Sequence, residues 1–297
     1  MSNRKPARIF HAECIAVANC KVGESPVWDP QSEAVYWVDI PNRRLLRVPA
    51  AGGALESWAL PLTVSAFAMR SDGGFIAATN KGFAWLDFVV GEPVFTTGAG
   101  PELPEGWRMN DGACDRQGRF WAGTLSPTPA APGAFGALYS LGPTENVIAR
   151  GGEFRVQNGL SWSPDGHRMY VSDSHISHPH VMAYDFEPDT GERSNGTLLA
   201  NHASLGGRPD GAAIDVDGCY WIAASDSGRV LRLTPSGKID AEIIVGATNP
   251  TNICFGGNDM KTAYITTLHP DGGSGGDLYA VSLPFQGLAE PRYQSKA

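Results

Sequence analysis

The sequence predicts an all-β fold, a six-bladed β-propeller filling residues 1–297 as a single domain, and three observations carry that expectation. One layout returns six times at intervals of about 40 to 50 residues, the length scale of a propeller blade. Glycine, at 36 residues, and proline, at 22, punctuate short apolar runs, which is the pattern of many strands joined by many turns. No segment keeps an amphipathic helical period for more than a turn or two, so no helical layer is expected. Closed all-β folds commonly use this length for one domain, and neither a linker nor a low-complexity stretch interrupts the chain.

Taken in order, the elements fit that ring. Residues Ala12 to Ala18 read as a strand with no hairpin partner of its own. The six units then open on GESPVWDPQ from Gly23, VSAFAMRSDG from Val64, MNDGACDRQG from Met109, QNGLSWSPDG from Gln157, PDGAAIDVDG from Pro209 and PTNICFGGND from Pro250. Their aligned opening residues are Glu24, Ser65, Asn110, Asn158, Asp210 and Thr251, and their turn partners are Gln31, Asp72, Gln117, Asp165, Asp217 and Asn258. The second strands are AVYWVDI, GFIAATN, RFWAGTL, RMYVSDS, CYWIAAS and TAYITTL. Their aromatics, among them Trp37, Trp121, Tyr170, Trp221 and Tyr264, recur too regularly for a ligand-stacking cage and read as packing between blades. The third strands are RLLRVPA, AWLDF, GALYSL, VMAYDFEP and RVLRLTP, with GDLYAVSL near the end, and an irregular tail follows. The last unit is thus one strand short and the start one strand long. The N-terminal strand is therefore expected to close the last blade.

Composition narrows the function classes. A net charge of -8, with no block among the 23 Lys and Arg, speaks against a nucleic-acid surface, which needs a basic face. The amino terminus lacks the continuous apolar run of a signal peptide and no stretch approaches membrane-spanning length, so a soluble cytoplasmic chain without membrane partners is expected. Cys14, Cys20, Cys114, Cys219 and Cys254 are odd in number and lack metal-knuckle spacing; buried reduced thiols are expected, with Cys114 and Cys254 on inner strands. The sequence does not set the oligomeric state.

The ring geometry says where chemistry can sit. In a propeller the innermost strand of each blade lines the central channel, so the six opening residues converge at one rim. An interior rim holding ionised Glu24 and Asp210, beside the amides of Asn110 and Asn158, would repel itself without a cation. Carboxylates and amides without Cys or His select one hard divalent ion, Ca²⁺, Mg²⁺ or Mn²⁺, with Zn²⁺ or Fe²⁺ tolerated. Asn158-Gly159 and Asp210-Gly211 could each be hairpin turns. Separate pairs, Asp165-Gly166 and Asp217-Gly218, already occupy the turn after the strand, so Glu24, Asn158 and Asp210 read as ion ligands. His175, His178 and His180 follow a second strand at the same rim; they admit a zinc reading but more readily shape a pocket or face solvent. The Gly-rich HPDGGSGGD near His269 follows no strand-to-helix pattern and is not a phosphate cradle, although both loops could cap the site.

GESPVWD, RMNDGACDRQGRFWAGT, QNGLSWSPDG, PDGAAIDVDGCYWIA and CFGGND, in that order between Glu13 and Leu283, resemble the characteristic segments of the gluconolactonase, regucalcin and senescence-marker-protein family. The resemblance implies a six-bladed propeller with one divalent ion at the channel mouth, held by Glu24, Asn158 and Asp210. It also implies a sugar lactone substrate contacted by Arg108 and Asn110, and an acid/base role for Asp210. One family position is missing: where members carry a substrate-contacting Glu after the AGT segment, this chain reads LSPTPAAPGAFG, without a carboxylate. The implied reaction is hydrolysis of an aldonolactone such as gluconolactone to the open-chain acid. An esterase or phosphotriesterase on a related propeller, or a non-catalytic calcium-binding propeller, are the alternatives.

Overall fold

The computed structural model describes residues 7–270 and 273–295. The start of the amino-terminal reading and part of the Gly-rich loop near His269 lie outside them.

Two strands, β1 (Arg8–His11) and β2 (Glu13–Ala16), precede six repeated units. The first blade holds β3 (Gly23–Asp29), β4 (Ala34–Asp39), β5 (Arg44–Pro49) and β6 (Glu56–Ala59). The second holds β7 (Val64–Met69), β8 (Phe75–Thr79), β9 (Gly82–Val89) and β10 (Glu92–Thr97), and the third β11 (Arg108–Cys114), β12 (Phe120–Leu125), β13 (Gly136–Leu141) and β14 (Val147–Phe154). The fourth holds β15 (Gln157–Trp162), β16 (Arg168–Asp173), β17 (His180–Glu187) and β18 (Glu192–Asn201), and the fifth β19 (Arg208–Ile214), β20 (Tyr220–Ser225), β21 (Arg229–Leu233) and β22 (Ile239–Ile244). The last contributes β23 (Pro250–Gly256), β24 (Thr262–Thr267) and β25 (Leu278–Ser282). Within each blade the strands are consecutive and antiparallel, and each innermost strand packs against the next around a closed ring.

The ring closes at the amino terminus. β2 pairs antiparallel with β25, placing Glu13 opposite Ala280, and so becomes the outer strand of the sixth blade, as the spare strand around Ala12–Ala18 implied. β1 runs parallel to β22 of the fifth blade, a second clasp that the sequence did not announce. The edge of β25 left by the incomplete repeat is thereby covered, and the outer edge of the complete fifth blade gains a further strand.

Burial follows each strand's place in the blade. β15 and β23 are buried at every position because other blades flank both faces, whereas outer β10 is mostly exposed or half-buried. An aromatic pair joins every neighbouring pair of blades: Tyr36–Phe75, Phe83–Phe120, Trp121–Trp162, Tyr170–Tyr220, Trp221–Phe255 and Trp28–Tyr264, with ring centres 4.9 to 5.8 Å apart. The recurring aromatics are packing, as their spacing implied. At the turn rim, the Trp121 and Trp221 indole N–H groups donate to fully buried Asp115 and Asp215, which also pair with Arg119 and Arg232. The cysteines are all free, but Cys14 is exposed rather than buried, because β2 lies at a blade edge.

The carboxy-terminal tail is the other unannounced feature. It crosses the turn rim, with Gly287 donating to Met260, Leu288 to Ile214, Tyr293 to Met69 and Gln294 to Gly118. Between this strap and the opposite rim the channel widens into a cavity of about 360 Å³, lined by Phe67, Asp111, Cys114, Asn252 and Glu290 among others.

Candidate active site

Glu24, Ser65, Asn110, Asn158, Asp210 and Thr251 each lie at or near the start of an innermost strand, so all six meet at the rim opposite the tail. At that point every innermost strand slips register against its neighbour: between Glu24 and Val27, Val64 and Ala66, Met109 and Gly112, Asn158 and Ser161, Pro209 and Ala212, and Pro250 and Asn252. A bulge inserts an unpaired residue and turns its side chain out of the sheet's alternation, which re-aims these groups across the mouth. Gly159 shows the constraint: its φ is +62°, and an added Cβ would fall 2.4 Å from the Tyr220 hydroxyl. Gly159 is thus left-handed backbone in a bulge, and the Asn158-Gly159 pair is not a hairpin turn.

The six openings divide into two kinds. Ser65 donates to the Met109 and Asn110 carbonyls at 2.8 and 2.9 Å, and Thr251 binds the Gly23 carbonyl and Thr266, so both hydroxyls stitch blades together. Glu24, Asn110, Asn158 and Asp210 form the mouth proper. Glu24 is buried, and its Oε2 accepts from Ser25 N at 2.9 Å and Asn252 Nδ2 at 3.0 Å. Asn110 Nδ2 donates to the Gln157 carbonyl at 2.7 Å and to Asn158 Oδ1 at 3.3 Å, and its Oδ1 accepts from Arg108 Nη1 at 2.6 Å. Asn158 Nδ2 donates to Ser174 Oγ at 2.7 Å.

Charge balance sets the character of the site. Burial, then the neighbouring Glu24 and Asp111, push the Asp210 carboxyl far above the usual range. Burial, then Asp111, raise Glu24 in the same direction. Burial pulls the Arg108 guanidinium down to about 10, and the attraction of Glu24 and Asp210 opposes that fall. Among the described residues the Asp210 carboxylate has no hydrogen-bond or ion-pair partner, and nearby Arg208 is committed to Asp226. Two carboxylates and an amide oxygen, with Arg108 nearby but no salt-bridge partner among the described residues, form a donor set that fits a hard divalent cation.

Among the described residues no three His, Cys, Asp or Glu side chains gather as a metal-holding group, so the set depends on the Asn158 amide oxygen. The three loop histidines do not form one: His175 Nδ1 meets Ser177 Oγ, His180 Nδ1 meets the His178 carbonyl, and His178 is exposed. The segment after the AGT motif, where the family Glu is missing, is pinned by Arg155, which donates to the Pro129 carbonyl at 2.6 Å and lies 4.7 Å over the Phe135 ring. Sequence reasoning passed over Asn252, Ser174 and Asp111. Asn252 directly follows an aligned opening residue and Gly211 leaves room for it, since a Cβ there would lie 2.0 Å from its Cγ. Asp111 turns to the cavity side, accepts from Leu160 N at 3.1 Å, and is pushed up to about 6 by burial.

Fold and mouth together define a class: a six-bladed propeller whose channel opens through an acid and amide ring beside an arginine that has no ion-pair partner among the described residues. The SMP-30/Gluconolactonase/LRE-like region matches residues 22–269, and the chain belongs to that family. It is 36% identical to the 6-deoxy-6-sulfogluconolactonase of Pseudomonas putida over 95% of this chain and 98% of the relative. It is 32% identical to human regucalcin over 95% and 97% of the two chains. Among solved structures, the calcium-binding protein regucalcin of Agrobacterium tumefaciens superposes with a TM-score of 0.87 at 26% identity, covering 97% of this chain and 99% of that one. The gluconolactonase XC5397 of Xanthomonas campestris gives 0.74 at 20% identity, covering 95% and 96%, a likeness of fold.

Proposed function

We propose that this carboxylic-ester hydrolase is a divalent-cation-dependent lactonase that opens an aldonolactone to its sugar acid. The observation that carries the reading is the unpartnered Asp210 carboxylate set against Glu24 and the Asn158 amide at the mouth, with Arg108 alongside. The family and the lactonase among the relatives support the reaction class.

Glu24, Asn158 and Asp210 would hold the ion. Bound there, a divalent cation supplies carbonyl polarisation and acidifies water. Asp210 takes the proton of the attacking water as the new C–O bond forms, and returns it to the ring oxygen as the ester C–O bond breaks, so one carboxyl serves both halves. Arg108 commits Nη1 to the Met109 carbonyl and Asn110 Oδ1, leaving its other N–H groups for a sugar hydroxyl or the oxyanion. Asn110 spends its N–H groups on Gln157 and Asn158, so its main part here is to aim Arg108.

The test is lactone opening followed by acid release. The panel holds gluconolactone, other aldonolactones and 6-deoxy-6-sulfogluconolactone, with and without chelator and with Ca²⁺, Zn²⁺, Mg²⁺, Mn²⁺ or Fe²⁺ restored singly. Opening that stops with chelation and returns with one ion is expected. Ion binding without turnover of any lactone would point to a calcium-binding propeller, and turnover indifferent to chelation would remove the ion from the reaction.

A further inference from the structure

A directed hydrogen-bond chain runs around the mouth from the third blade to the fifth, and Ser174 is its last side chain. Arg108 Nη1 donates to Asn110 Oδ1 at 2.6 Å, Asn110 Nδ2 to Asn158 Oδ1 at 3.3 Å, Asn158 Nδ2 to Ser174 Oγ at 2.7 Å, and Ser174 Oγ to the Pro209 carbonyl at 2.5 Å. A guanidinium can only donate and a backbone carbonyl can only accept, so every proton between those ends must run the same way. Ser174 has one proton and spends it on Pro209. Its oxygen must therefore accept, which requires the nitrogen of Asn158, and not its oxygen, to face it. The Asn110 contact favours the same orientation but is the longer bond, so Ser174 supplies the firmer restraint.

The surroundings hold Ser174 for this part. It is buried directly after β16, and its own N–H donates to the Val156 carbonyl at 2.9 Å. The preceding Asp173 accepts from the backbone N–H groups of Arg155, Val156 and His175, which immobilises the corner on both sides. Pro209 immediately precedes Asp210, so the same hydroxyl links the strand that carries Asn158 to the strand that carries Asp210.

We propose that Ser174 is a positioning residue that locks the Asn158 amide with its oxygen available to a divalent cation and sets its spacing from Asp210. The proposal rests on Glu24, Asn158 and Asp210 being the ion-holding set. Groups that orient a metal ligand typically contribute about 10- to 100-fold in affinity.

The experiment titrates the chelator-treated full chain with Mn²⁺ by calorimetry and by electron paramagnetic resonance, alongside its ion-free melting temperature. Ser174→Ala and the near-isosteric Ser174→Cys should weaken Mn²⁺ binding by about tenfold or more while remaining folded, and Ser174→Thr should retain most of the affinity. In an Asn158→Ala background, Ser174→Ala should cost little further, because its effect passes through the amide. If Ser174→Ala and Ser174→Cys bind Mn²⁺ like the parent while Asn158→Ala does not, the proposal fails and the ion site stands. An equal loss in both backgrounds also overturns it. If the parent binds neither Mn²⁺ nor, in the same calorimetry, Ca²⁺, Mg²⁺, Zn²⁺ or Fe²⁺, the ion reading falls and this proposal falls with it.

Discussion

At the scale of single residues, the mouth trades stability for a charge arrangement. Burial, Glu24 and Asp111 raise the proton affinity of Asp210, burial and Asp111 raise that of Glu24, and among the described residues no side chain pairs with Asp210. Asp210→Asn should therefore lower kcat on an aldonolactone by about 10²-fold or more, while raising the melting temperature of the chelator-treated protein by relieving repulsion. Kinetics and a thermal melt in chelator check both halves, and a destabilised variant would contradict the electrostatics. Arg108→Lys should lower kcat/KM by about 10²-fold, since an ammonium cannot hold Asn110 Oδ1 and the Met109 carbonyl and still present a spare donor fork. Much of this was readable beforehand. Glu24, Asn110, Asn158 and Asp210 share one register position, and acids or amides there have no ordinary packing role. Asn252 and Ser174 were not readable, because each is defined by a partner in another strand or blade. The aligned Ser65 and Thr251 look like site residues in sequence and are stitches in space.

At the scale of elements, the bulge at each strand opening and the carboxy-terminal strap do the positioning. Gly159→Ala places a Cβ against the Tyr220 hydroxyl on left-handed backbone and should destabilise the fold by about 1 to 3 kcal/mol, measurable by denaturant unfolding. Ala at Gly133, also left-handed but with open space around it, is the control and should cost less. In the strap, Glu290 lines the channel cavity and is exposed to it; the enclosing channel atoms still raise its carboxyl, with Arg116 the opposing influence, so the effect on stability is small. A carboxyl whose folded value lies above its unfolded value costs stability once it is ionised in both states. Glu290→Gln should therefore raise the melting temperature at neutral pH. The gain should shrink as pH falls through the raised folded value and vanish below the unfolded glutamate value of about 4.3. Melting curves across pH test this, and a gain that persists at low pH would show that the charge is not its source. The tail's irregular sequence carries no period, so nothing in it announced a strap; only the carbonyls and amides left open on four blades define its path.

At the scale of the molecule, a propeller is stable only when closed, and here closure is a task for the amino terminus. Deleting residues 1–16 would leave the outer edge of β25 unpaired and remove the clasp on β22. Self-association on gel filtration and a lower melting temperature are expected, and an equally stable monomer would refute the role of these strands. Six turns of one pattern were enough to determine the blade number, the inner strands, the aromatic blade packing and the rim at which the opening residues meet, because strand alternation and turn chemistry are local and the repeat multiplies a weak signal. Three things waited for the tertiary structure: which opening residues stitch and which face the channel, how the amides are turned, and where the tail runs. Each depends on a bulge angle or on a hydrogen-bond partner in another strand or blade, as between Ser174 and Pro209, 35 residues apart, and a spacing rule along one strand contains no information about the groups that its neighbours present to it.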